Sequence, residues 1–253
     1  MTIRILAAIG FGTGCLLLAA DPAKQTEPKR DAPKQKVQVT KTQRIDFPPG
    51  GTLRFTNSVG VLTVEAWDQP DVEIETIKSS KTDLDAHGRE KATHKLDRVR
   101  VAAERRGNEV VVTTDFPGHR PFGLPYPLSG EPGFDLEYHV KAPANTRIVA
   151  DHNLGEVNID GFDSDIQVKL AQGEILLHLP EDGRYSINAH SDFGSVNSDF
   201  SGPEKRTGWL LGHRSVDEDR AAPHKLDLKV KFGDVVILKI RAPKTSETAT
   251  GAL

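Results

Sequence analysis

Apolar residues recur two apart along most of the chain between residues 52 and 240. Thr52 to Phe55, Val61 to Ala66 and Val72 to Ile77 alternate or cluster β-branched residues between turn signals, which predicts strands. Arg98-Val99-Arg100-Val101 and Glu109 to Thr114 flank Arg106-Gly107-Asn108, and two such runs about a Gly-Asn pair predict a hairpin. Asp83 to Leu96 is the one segment that reads as a helix, with Thr82 in the capping place, Asp85 at the box position and Gly88 weakening it. Nothing alternates strands with long helices, which argues against a parallel α/β sheet.

A repeat is superimposed on this alternation. Five segments carry a Gly, one residue, then apolar residues two apart: Val59-Gly60-Val61-Leu62-Thr63-Val64, Leu154-Gly155-Glu156-Val157-Asn158-Ile159, Gln172-Gly173-Glu174-Ile175-Leu176-Leu177, Phe193-Gly194-Ser195-Val196-Asn197-Ser198 and Phe232-Gly233-Asp234-Val235-Val236-Ile237. Glycines 155, 173 and 194 stand 18 and 21 residues apart, and the step from 194 to 233 is 39, about two such units. A glycine permits a corner or a close approach of neighbouring backbone, and a period-2 strand leaves it with one face inward. One unit cannot bury its own apolar face, whereas stacked units can. The alternate positions Glu156, Asn158, Asp160, Gln167 and Lys169 are polar, as one-sided burial requires. The expected fold is all-β: a short β-solenoid, or rolled antiparallel/parallel sheets, built from Gly-x-Val-x-Val repeats of about 18–21 residues. An antiparallel sandwich with similar turn spacing is the alternative.

The Gly-x-Val-x-Val units, the segment Gly60 to Asp68 followed by Asp71-Val72-Glu73-Ile74, and the Gly-Asn hairpin together resemble the bacterial putative-adhesin domain family over roughly Ile45 to Ile240. The resemblance implies an exported or membrane-attached domain of solenoid-like stacked strands. It implies adhesion of unknown specific function and brings no catalytic residues. The Pro-rich insert at 117–133 departs from that pattern.

Met1 to Ala20 reads as an export signal, with Arg4 as the positive region, Ile5 to Leu18 as the apolar run and Ala19-Ala20 before the cut. Cys15 is the only cysteine, so no internal disulfide forms. Lipid on Cys15 or an uncleaved leader is a minority alternative for membrane attachment. Residues 21–44 read as a disordered, basic, Pro/Lys-rich linker, 45–243 as a single β-rich domain and 244–253 as a disordered tail. Asp21 to Arg44 carries a local +4 and Arg4 another +1, so the net charge of −3 leaves residues 45–253 at about −8. An acidic domain on a basic tether is a poor nucleic-acid binder. The expected location is the periplasm or surface of a bacterium.

No catalytic, cofactor or metal site emerges. The nine histidines are scattered, and only separate units could bring His178 and His190 together. Asp160, Asp163 and Asp165 form an acidic turn in which calcium is the alternative to ordinary turn hydrogen bonding. Glu156 and Glu174 hold equivalent places in successive units, as a glycosidase pair or any repeated outward position would. Arg120, Phe122 and Tyr126 in the Pro-rich insert are the candidate partner-binding residues, the alternative being a loop that caps strand edges. Trp209-Leu210-Leu211 is expected to pack. The functional expectation is an exported, non-enzymatic adhesin-like domain binding an envelope polysaccharide or protein partner. The alternatives are a polysaccharide-active enzyme and a structural envelope-assembly component.

Overall fold

The computed structural model describes residues 34–115, 133–200, 204–206, 213–217 and 221–240. In chain order they form β1 (Gln38–Asp46), β2 (Thr52–Trp67), β3 (Asp71–Ser80), α1 (Ala86–Arg98), β4 (Arg100–Arg106), β5 (Glu109–Asp115) and β6 (Phe134–Pro143). There follow β7 (Arg147–Asp160), β8 (Ile166–Pro180), β9 (Tyr185–Phe193), β10 (Val196–Ser198), β11 (Glu204–Arg206), β12 (His213–Asp217) and β13 (His224–Ile240). The fold is all-β, with α1 the one helix among the described residues. The strands belong to one open mixed sheet in the order β1-β3-β6-β2-β7-β8-β13-β9-β12-β11. At the near end the sheet divides: the first half of β2 pairs with β5, which pairs with β4, and the second half pairs with β6.

The long strands must double back. β7 has 14 residues and would span about 46 Å if straight. Yet β8 starts beside the start of β7, with Ile148 opposite Ile166, after a connection of only residues 161–165. Such a connection reaches about 20 Å at most. The bend lies at the repeat glycines, where Gly60 pairs with Gly155, Gly155 with Gly173 and Gly173 with Gly233. Before the corner the inward residues are Ile148, Ala150 and His152 on β7, and Ile166, Val168 and Leu170 on β8. After it they are Val157 and Ile159, and Ile175 and Leu177, on the opposite parity. The corner therefore holds one extra residue, as a bulge does. Both halves feed a single hydrophobic core. In register, Leu53, Ile148, Ile166, Leu226 and Ile187 form one inward row, and Leu62, Val157, Ile175, Val235 and Val196 another.

Side-chain-free corners let the backbones close up. A methyl built on Gly155 would land on Gly60 O, and one on Gly173 on Gly155 O, far inside the ~3.5 Å of ordinary contact. The five predicted repeat glycines thus form one ladder, but not in chain order. β13 lies between β8 and β9, so the Gly233 unit precedes the Gly194 unit in space.

Other expectations shift in detail. The runs at 52–55 and 61–66 are the two halves of β2. The hairpin forms as β4 and β5, antiparallel, although Arg98 ends the helix and the strand starts at Arg100. The helix starts at Ala86, and its cap is Asp85, whose carboxylate accepts the Gly88 N–H at 2.7 Å, in place of Thr82. Leu84 is held before it in a bridge to Gln35. The segment read as linker contributes a strand from Gln38, because Val39 to Asp46 pair along β3. The leader with Cys15, the insert with Arg120, Phe122 and Tyr126, Trp209 to Leu211 and the tail lie outside the described residues.

Candidate functional site

Just before the glycine corner, the outward faces of four adjacent strands form a shallow groove of about 360 Å³. One wall is a register row: Asp151 on β7 opposite Lys169 on β8, Lys169 opposite Lys229 on β13, and Lys229 opposite His190 on β9. The other wall holds Asn153, Ala171, Lys231 and Asp192. The backbone of the inward row, His152, Leu170 and Val230, forms the floor between them. Alternation explains the placement, since residues on either side of an inward residue face out together.

Three ammonium groups and one imidazole share this groove with two carboxylates. Lys229 Nζ lies 3.5 Å from Asp227, and His190 Nε2 lies 2.9 Å from Asp192 Oδ1. Lys169 has no ion pair among the described residues. His190 Nδ1 is buried and has no hydrogen-bond partner among the described residues. Next along the chain from Asp192 and Lys231 stand Phe193 and Phe232, stacked with ring centroids 4.8 Å apart and planes at 11°. They are 45% and 36% exposed, so the pair offers an aromatic surface to solvent beside the groove. The Lys231 ammonium sits 5.6 Å from the Phe232 ring centre.

The floor contains one buried titratable group. His152 Nδ1 faces Ser58 Oγ at 2.7 Å and Nε2 faces Gly60 O at 3.0 Å. Nε2 therefore donates to the carbonyl and Nδ1 accepts from the hydroxyl. Burial pushes the imidazole pKa down to about 4, against smaller opposing effects of backbone hydrogen bonds. This Ser–His contact ties the corner of β2 to β7, and both residues are buried.

The sequence-derived candidates fare differently. Glu156 and Glu174 do meet, as register partners, and Asp234 extends their row. All three are exposed on strand segments beyond the corner, apart from the groove. His178 and His190 do not meet: β13 separates their strands, His178 contacts Asp160, and His190 contacts Asp192. The aspartates of the acidic turn each have their own partner. Asp160 contacts His178, Asp163 lies 3.3 Å from His224, and Asp165 accepts the Lys225 N–H at 2.9 Å. Among the described residues no three His, Cys, Asp or Glu side chains are grouped to hold a metal ion. Lys229 and Lys231 were not marked by their sequence, and His190 was weighed only as a partner of His178. Their shared signal is an outward position just ahead of a repeat glycine.

No family model matches the chain. No curated protein matches it either. Among solved structures, it is similar to a "putative cell adhesion protein" from Clostridium sporogenes, at 14% identity over 80% of this chain and 100% of that one, with a TM-score of 0.45. A "putative adhesin" from Bacteroides fragilis aligns at 8% identity over 79% and 97%, with a TM-score of 0.29. A "putative lipid binding protein" from Parabacteroides distasonis aligns at 6% identity over 79% and 96%, with a TM-score of 0.22. Likenesses of this strength assign no function, and the reading below rests on the chain's own residues.

Proposed function

We propose that the chain is an exported, non-enzymatic binding domain that attaches to a component of a bacterial envelope or cell surface. In this reading Met1 to Ala20 directs export, residues 21–34 tether the domain, and the bent strands stack as a short two-faced β-solenoid. The observation that carries the reading is the groove. It gathers Lys169, Lys229, Lys231 and His190 from three strands onto the two walls of one solvent-facing groove beside an exposed aromatic pair. Charged and aromatic groups facing water on rigid strands suit recognition of a ligand from outside. The insert residues Arg120, Phe122 and Tyr126 supply a second contact in this proposal.

The test is co-sedimentation of residues 21–253 with peptidoglycan, outer polysaccharide and membrane vesicles. The expected result is saturable binding to one fraction, weakened when Phe122 and Tyr126 become Ala and when the groove lysines become Ala. Absence of binding to every fraction overturns the reading. Turnover of envelope polysaccharide that is lost in Glu156→Gln and Glu174→Gln would replace it with an enzyme built on the carboxylate row.

A further inference from the structure

We infer that the groove takes an extended acidic polysaccharide laid across strands β7, β8, β13 and β9, its carboxylates on Lys169 and Lys229 and a sugar face on Phe193 and Phe232. This deepens the binding reading above and rests on it.

The first argument is the cost of the unliganded row. Lys169 and Lys229 are direct register partners on parallel strands, about 4.8 Å apart along the sheet. Like charges directly opposite one another destabilise a sheet. Asp227 sits two residues from Lys229 and faces it, and Asp151 is the register partner of Lys169 on its other side, yet Lys169 has no ion pair among the described residues. A carboxylate bridging the two ammonium groups relieves that repulsion and gains two charge-assisted hydrogen bonds.

The second is the buried, unpartnered Nδ1 of His190. Buried polar atoms in native folds usually have partners, and this one belongs to a residue of the groove wall. Nε2 donates to Asp192, leaving Nδ1 to accept from a ligand hydroxyl once the ring turns toward the groove.

The third is the sign pattern. Asp151 and Asp192 stand at the two ends of the groove and Lys169, Lys229 and Lys231 between them. A continuous anionic plane, such as a lipid headgroup surface, meets both carboxylates unfavourably, and a concave groove does not press against a plane. A chain carrying hydroxyls as well as carboxylates uses every group: its hydroxyls donate to Asp151 and Asp192, and its carboxylates accept from the lysines. The apolar face of a pyranose ring covers an exposed aromatic surface such as Phe193 and Phe232.

The test titrates the protein with polygalacturonate, alginate and hyaluronate, with polygalacturonate reduced at its carboxyl groups, and with phosphatidylcholine vesicles with and without phosphatidylglycerol. Binding to at least one acidic polymer is expected, weakened about tenfold in Lys169→Ala and about a hundredfold in the Lys169→Ala/Lys229→Ala pair, on the order of one charge contact per lysine. Lys169→Arg retains most of the affinity, Phe232→Ala loses part of it, and Lys141→Ala, on β6, leaves it unchanged. Melting temperatures of the exposed-lysine variants check that each is folded. Equal binding of the reduced polymer overturns the acidic class while leaving a binding domain. Binding only to phosphatidylglycerol vesicles overturns it in favour of a phosphate surface. Failure of all probes, with envelope co-sedimentation retained, overturns this inference alone. Failure of both overturns the function reading as well.

Discussion

Replacing Gly173 by alanine tests the corner ladder most directly. Gly173 sits between Gly155 and Gly233, in a backbone conformation with φ +134° that L side chains rarely adopt. Its new methyl would collide with the Gly155 carbonyl oxygen, which is backbone and cannot rotate away. The conformation alone costs roughly 1–2 kcal/mol. Moving β8 off β7 at this point loosens at least two ladder hydrogen bonds, about 1 kcal/mol each, and disturbs packing between Leu170 and Ile175. The total is about 3–5 kcal/mol, a large share of the ~5–15 kcal/mol that holds a domain together. For a domain of this size that lowers the melting temperature by about 10 °C. The control is Gly107→Ala in the β4–β5 turn, where φ is +64° and no atom lies within 4 Å of the added methyl. It carries the conformational cost without the collision, about 1 kcal/mol. Thermal unfolding followed by circular dichroism reads both. If Gly173→Ala melts within about 3 °C of Gly107→Ala, the close approach of the glycine corners is not what the sheet depends on.

Three further outcomes are expected. The folded pKa of His152, about 4, is below the unfolded value of 6.5, so the unfolded chain binds the extra proton first. Its contribution is fully present above pH 6.5 and declines by roughly 3 kcal/mol as pH falls to 4. Urea midpoints of the protein and of His152→Gln across this window should converge toward low pH, and parallel curves would refute the assignment. Asp85→Ala should cost about 1 kcal/mol and raise amide exchange in α1, with Thr82→Ala within about 0.5 kcal/mol of the parent, and the reverse ranking would return the cap to Thr82. Because Asp160, Asp163 and Asp165 each have a protein partner, melting temperatures in calcium and in chelator should coincide. A rise of several degrees with calcium would make the acidic turn a metal site.

Period-2 alternation and the glycine repeat are both local, and both were legible in the sequence. They located both halves of β2 and β8, the second halves of β7 and β13, and the glycines that stack at each corner. The groove was not legible, because it depends on which strands are neighbours. Lys169 and Lys229 are sixty residues apart, and only the pairing of β8 with β13 makes them opposite. The repeat cannot choose that pairing, since the inward rows of β8, β9 and β13 carry interchangeable apolar residues: Ile166, Ile187 and Leu226 occupy one level. Tertiary context also overrode the polar composition of residues 38–44, which joined β3 as an edge strand with Lys41 and Arg44.

What fixes the order β8-β13-β9 is the edge of β9. A strand has two edges, and β12 pairs antiparallel with one edge of β9, Ser215 opposite Ala189. With that edge taken, β9 can reach the rest of the sheet only through the other. If it joined β8 there, β13 could pair with neither strand on this path and would leave the inward row of Leu226 and Leu228 uncovered. Placing β13 in the slot instead gives it a parallel partner on each side and brings Phe232 onto Phe193. The alternative order would leave Lys229 out of the row that holds Lys169. The strand that fills the slot between β8 and β9 is therefore the strand that assembles the lysine row, and the site is a consequence of how β12 occupies the far edge of β9.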